Sequence, residues 1–77
     1  MHLEILSPSN KVFEGEVSSV TFPGSEGSFG ILKDHAPLIA TLKEGQIEWI
    51  INNKKETVEI KGGVVEVLKN KISVLVK

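Results

Sequence analysis

Asp34 stands beside His35, and a carboxylate next to an imidazole is the pairing that orients a general base. Adjacent loop residues seldom aim at one point, however, and no nucleophile elbow occurs anywhere in the chain. The only other histidine is His2, which reads as an exposed strand residue. Two histidines without patterned carboxylates make no metal site. The segment Gly24-Ser25-Glu26-Gly27-Ser28-Phe29-Gly30 has the glycine spacing of a phosphate cradle, but Ile31 and Leu32 occupy the places where a P-loop carries its lysine and hydroxyl. The spacing is therefore read as turn geometry, with Gly27 and Gly30 expected at backbone angles that other residues resist. Trp49 lies in an alternating run and reads as core. An oligonucleotide-binding sheet needs exposed aromatics, which three Phe and one Trp hardly supply.

Composition narrows the field further. Seventy-seven residues allow one small core and one domain, residues 1–77, and 40% apolar with 25% charged residues is ordinary globular usage. No cysteine is present, so neither disulfides nor a thiolate metal site can brace so small a core. Nine Lys and Arg against ten Asp and Glu leave a net charge of −1, with the lysines dispersed among acids. Nucleic acid is bound mainly through clustered cations on phosphates, so it is not an expected partner. Met1-His2-Leu3-Glu4 does not open a signal peptide, and no apolar run approaches the roughly 18 residues of a membrane span. A soluble protein is expected.

The elements that would position these residues are strands. Leu3 and Ile5 alternate with His2 and Glu4, and Ser7-Pro8-Ser9-Asn10 turns the chain. Val12 and Phe13 open a second run, interrupted by Glu14-Gly15-Glu16. Val17 is out of phase with Val20 and Phe22, and a bulge near Ser18 or Ser19 would bring all three to one face. Phe22 to Gly45 reads as two exposed loops around a short apolar piece, Phe29-Gly30-Ile31-Leu32. Leu38 to Leu42 suits a strand better than a helix, since only seven residues separate Pro37 from Gly45. Ile47, Trp49 and Ile51 then alternate, Asn52-Asn53-Lys54-Lys55 turns, and Val58 and Ile60 return. After Gly62-Gly63, Val65 and Val67 lead through Lys69-Asn70-Lys71 to Ile72, Val74 and Val76. Short strands at this spacing predict an all-β sandwich or barrel with antiparallel hairpins.

Lipoyl and biotinyl carrier domains are all-β sandwiches of similar size with a modifiable lysine at a hairpin tip, and Lys54 would be that lysine here. Their usual Asp-Lys-Ala or Met-Lys-Met flanks are missing. A second resemblance covers nearly the whole chain. Phe13-Glu14-Gly15-Glu16-Val17, Phe22-Pro23-Gly24-Ser25-Glu26-Gly27, Gly30-Ile31-Leu32, His35-Ala36-Pro37-Leu38, Gly62-Gly63-Val64-Val65-Glu66-Val67 and Val74-Leu75-Val76 resemble, in order and spacing, the N-terminal β-sandwich of the epsilon subunit of F-type ATP synthases.

The resemblance implies a flattened antiparallel β-sandwich of about ten short strands, without catalytic residues, cofactor or metal. It implies a non-catalytic central-stalk subunit that couples rotation of the c-ring and the gamma subunit to ATP synthesis or hydrolysis. Such a subunit is peripheral to the cytoplasmic face of the bacterial inner membrane. By similarity, Glu26, Gly27, Ser28 and Phe29 face the c-ring, while His35, Ala36, Pro37 and Leu38 and the strand up to Leu42 lie near gamma. Many members have an acidic residue where this chain has Ser28. Typical bacterial members continue into a C-terminal helical hairpin that inhibits hydrolysis and in some cases binds ATP; the sequence stops at Lys77, so neither property is expected of it.

Overall fold

Period-two alternation becomes nine strands in a computed structural model that describes residues 1–77, with no helix. They are β1 (His2–Leu6), β2 (Lys11–Glu16), β3 (Ser19–Gly24), β4 (Gly27–Ile31), β5 (Leu38–Leu42), β6 (Gly45–Ile51), β7 (Lys54–Ile60), β8 (Gly63–Leu68) and β9 (Lys71–Val76). The strands form one curled sheet in the order β2-β1-β9-β8-β5-β3-β6-β7, with β4 paired to β3. Between β5 and β3 the continuity rests on a single pair, Leu42 opposite Gly24. The sheet folds over on itself there. One layer is β2-β1-β9-β8-β5 and the other is β4-β3-β6-β7; across them Phe13 of β2 meets Trp49 of β6 with ring centroids 4.6 Å apart.

Fifteen buried apolar residues fill the space between the layers, among them Leu3, Ile5, Val20, Phe22, Ile47, Trp49, Val65, Val67, Ile72 and Val74. Apart from Val17, which lies between β2 and β3, they are the inward members of strands, as one-sided burial requires. No charged, hydroxyl or amide side chain is buried with them; the buried side-chain donor left without a partner is the Trp49 indole Nε1–H, which offsets part of what burying that ring contributes. Two hairpins turn on residues held at positive φ: Asn52 and Asn53 at 51° and 63°, and Lys69 and Asn70 at 51° and 61°. Paired positive φ values are the mark of the turn whose twist suits a two-residue hairpin, and asparagine tolerates them well.

Several expectations are corrected by the ladder. Glu14-Gly15-Glu16 continues β2, with Glu14 opposite Glu4, Gly15 opposite Leu3 and Glu16 opposite His2. As an edge strand, β2 tolerates this polar, glycine-bearing sequence because its outer side meets solvent. The register shift lies at Val12, where Phe13 pairs Ile5 but Lys11 pairs Leu6, not at Ser18 or Ser19. Val17, Val20 and Phe22 are all buried, because the chain leaves β1 after Glu16 and Ser18 N–H donates to Ile50 O at 2.9 Å, starting a new partnership with β6. The pairing is antiparallel throughout except for β1 beside β9, which run parallel. Lys54 is exposed but paired with Ile51 inside the ladder, so the turn tip is Asn52-Asn53 and the lysine lies on the strand beside it.

Candidate functional site

Pro37 ends the segment after β4, and the five residues beyond it form β5, with Leu42 buried, Leu38 and Ala40 half-buried, and Ile39 and Thr41 exposed. Leu42 therefore belongs to the core and offers no side chain to a partner. The outward apolar residue of this strand is Ile39, 72% exposed; alternation with Leu38, Ala40 and Leu42 was the signal for it. His35, Ala36 and Pro37 are exposed at the approach to β5.

The glycine-rich segment is not an open loop. Gly24 pairs Gly27, Pro23 pairs Ser28 and Phe22 pairs Phe29, which leaves only Ser25 and Glu26 to turn. Gly27 has φ of 128°, in the region that favours glycine. Gly30 does not: it lies in β4 opposite Thr21, and a Cβ there would find its nearest neighbour at 3.7 Å. A regular antiparallel strand imposes no unusual angle, so the glycine spacing overstated the constraint. Gly24 matters for space, because a Cβ there would lie 2.5 Å from Gly27 O and 2.7 Å from the Phe29 ring.

These two segments, read separately in the sequence, line one groove of about 560 Å³. Gly24 through Gly27, Phe29 and Gly30 form one wall, and His35 with Leu38 through Thr41 the other. Two hydrogen bonds hold the hairpin tip to β5: Ser25 N–H donates to Thr41 O at 3.0 Å, and Thr41 Oγ1 donates to Ser25 Oγ at 3.0 Å. Phe29 is half-buried against Phe22, with centroids 5.6 Å apart, so one side of its ring is anchored while Glu26, Gly27 and Ser28 remain exposed. Apolar surface predominates along the groove, and Glu26 and His35 are the ionisable side chains among its lining residues. That arrangement suits a protein surface, with an apolar centre and a polar border.

Asp34 and His35 make no hydrogen bond to each other. The Asp34 carboxylate accepts from Asn70 Nδ2 at 3.0 Å, and His35 Nδ1 lies 2.7 Å from Ala36 O, so the two neighbours are engaged with different partners. His2, by contrast, is brought to carboxylates that its own surroundings in the sequence do not reveal. Its Nε2 lies 2.9 Å from Glu14 Oε2 and its Nδ1 3.1 Å from Glu16 Oε2. Carboxylates only accept, so both contacts are satisfied together by the imidazolium. The bond to Glu14 first, then that to Glu16, raises the His2 pKa. Lys11 first, then His2, lowers that of Glu14. No group of three metal-ligating side chains is assembled.

Comparison with known proteins gives a consistent pattern. The family model for the β-sandwich domain of the ATP synthase delta/epsilon chain matches residues 1–77. The ATP synthase epsilon chain of Nitratiruptor sp. is 46% identical over 78 residues, spanning 100% of this chain and 60% of that protein. The epsilon chain of Leptospira borgpetersenii is 43% identical over 75 residues, 97% of this chain and 59% of its own length. The chain thus spans about 60% of the length of these curated relatives. Among solved structures, a chain of the Euglena gracilis mitochondrial ATP synthase OSCP/F1/c-ring structure superposes with a TM-score of 0.90 at 23% identity, covering 96% of this chain and 48% of that one. One from the Tetrahymena thermophila mitochondrial ATP synthase central stalk and c-ring gives 0.80 at 20% identity, covering 97% and 61%. At these identities the structural matches establish the fold.

Proposed function

Since the chain belongs to the ATP synthase delta/epsilon family through its β-sandwich domain, we propose that it works as a non-catalytic central-stalk component of an F-type ATP synthase, carrying rotation between the c-ring and the gamma subunit. The observation that carries this reading is a match over 97–100% of this chain, at 43–46% identity, to about 60% of the length of proteins named ATP synthase epsilon chain. Residues 1–77 act in this reading as one domain. The lipoyl-carrier alternative finds no support in these relatives or in the position of Lys54.

Within this reading Glu26, Gly27, Ser28 and Phe29 meet the polar loops of the c-ring, and His35, Ala36, Pro37 and Leu38 meet gamma. Ile39 joins the gamma-facing set in place of the Leu42 side chain. A torque-bearing element must deform little under load. A core of fifteen apolar residues and a hairpin tip tied to β5 through Ser25 and Thr41 are features that resist deformation. Assembly on the ring places the subunit at the membrane surface, on the cytoplasmic face in a bacterium.

Reconstitution tests the proposal. Added to stalk complexes depleted of their own epsilon chain, this protein should co-purify with gamma and c and restore coupling of ATP hydrolysis to ion pumping. A chain that remains in the unbound fraction, with coupling unrestored, contradicts the reading.

A further inference from the structure

The six residues between β4 and β5, Leu32 through Pro37, carry the backbone from one wall of the groove to the other and present His35. Little apolar contact holds them: Leu32 is 65% exposed, and Lys33 to Pro37 are exposed as well. Inside the segment, His35 N–H donates to Leu32 O at 3.2 Å. Every hydrogen bond that leaves it goes to one residue 36 positions away. Asp34 N–H donates to Asn70 Oδ1 at 2.7 Å, and Asn70 Nδ2 donates to Asp34 Oδ1 at 3.0 Å.

The chemistry of this pair is selective. A backbone N–H can only donate and an ionised carboxylate can only accept, so the partner must offer one acceptor and one donor side by side, as a primary amide does. Asn70 is also at φ of 61°, and Asp34 at 66°, a conformation that asparagine and aspartate tolerate better than most residues. Its backbone serves too: His2 N–H donates to Asn70 O at 2.9 Å. One residue of the β8–β9 turn thus ties together the first strand and the exposed segment beside the groove.

We propose that Asn70 is a positioning residue for partner binding: its side-chain amide holds the Leu32–Pro37 segment in the shape that presents His35 and the start of β5 to gamma. This inference rests on the reading of that segment as gamma-facing. A surface already held in its bound shape loses less freedom on association than a mobile one. Asn70 touches no partner in this account; it acts through Asp34.

Three variants test it. Asn70→Gly keeps the positive-φ turn while removing the amide. Asn70→Asp removes the donor and sets a second carboxylate against Asp34. The double variant Asn70→Asp with Asp34→Asn exchanges donor and acceptor and rebuilds both bonds. Hydrogen exchange on the free chain reads the pin, and titration with isolated gamma reads its consequence. Both single variants should speed exchange at the Asp34 and His35 amides about tenfold or more, leave β3, β6 and β8 amides unchanged, and weaken gamma binding about three- to tenfold. The double variant should recover both. Unchanged exchange at Asp34 in Asn70→Gly, undiminished gamma binding by either single variant, or a double variant no better than Asn70→Asp overturns the proposal. Failure of the unmutated chain to bind gamma would instead remove the reading of the segment, with the exchange result still judging the pin.

Discussion

Replacing Gly24 and Gly30 by alanine, one at a time, should have opposite effects although the two glycines look alike in the sequence. At Gly24 the new methyl would lie 2.5 Å from Gly27 O and within 2.8 Å of two Phe29 ring carbons. The ring has some freedom to move, but the carbonyl belongs to the residue that closes the hairpin with Gly24 itself. Gly24 also forms the sole pair between β3 and β5, so relieving the clash disturbs the turn and the junction of the layers together. Overpacking of this kind costs about 1–3 kcal/mol. At Gly30 the nearest atoms stand at 3.7 and 4.0 Å, an ordinary contact. There, restricting the unfolded chain should add about 0.4–1 kcal/mol of stability. With a urea dependence of about 1 kcal/mol per molar for a small domain, Gly24→Ala should lower the unfolding midpoint by about 1–3 M, and Gly30→Ala should raise it by about 0.4–1 M. Equilibrium urea unfolding followed by Trp49 fluorescence reads both. Equal midpoints, or a loss above about 1 M for Gly30→Ala, would refute the packing argument.

Stability should also respond to pH through His2. Its pKa is raised above the ordinary 6.5, so its contribution is complete below that value and fades as pH climbs through the raised one. The pKa of Glu14 is lowered from 4.5, so its contribution is complete above that value and is lost as pH falls through the lowered one. The melting temperature of the unmutated chain minus that of His2→Gln should therefore be larger at about pH 5.5 than at about pH 8.5, and a difference independent of pH would exclude a stabilising role for the His2 contacts with Glu14 and Glu16. Ser28→Glu adds one exposed charge on β4, and exposed ion pairs are worth about 0–1 kcal/mol; coupling in the reconstituted enzyme should change by less than about fivefold, whereas lost assembly would mean a far tighter contact. ATP should not raise the melting temperature of the 77-residue chain, because Gly27–Ile31 is a strand paired with β3 and offers no ring of free amides to phosphate. A shift of several degrees at millimolar ATP would contradict this.

The legible parts of the fold were those written in local pattern. Ile47-Trp49-Ile51 and Ile72-Val74-Val76 announce strands with one buried face, and Asn52-Asn53 and Lys69-Asn70 mark their turns. Leu38 to Leu42 was decided by length, and as a strand it builds one wall of the groove. Pattern says nothing about which strands become neighbours, so the parallel pairing of β1 with β9 was not visible. The same limit hid both polar constellations. His2 meets Glu14 and Glu16 only because β1 and β2 pair in one register, and Asp34 meets Asn70 only because the β8–β9 turn closes beside the segment leading into β5. Gly15 misled in the other direction: a glycine between two acids reads as an interruption, yet an exposed edge strand accommodates it. The groove itself was divided in the sequence into two sites, since its walls come together through the Ser25 and Thr41 bonds.

Because the chain contains no cysteine, a single introduced thiol reports one position without interference. Ser28→Cys and His35→Cys, each carrying a short photoactivatable crosslinker and assembled into the complete synthase, test the central claim most directly. The Ser28 probe should join the chain to c and the His35 probe to gamma, each in good yield and without exchange of partners. Reversed partners, one common partner for both positions, or no crosslink from a fully assembled complex would contradict the account of this domain as the link between ring and stalk.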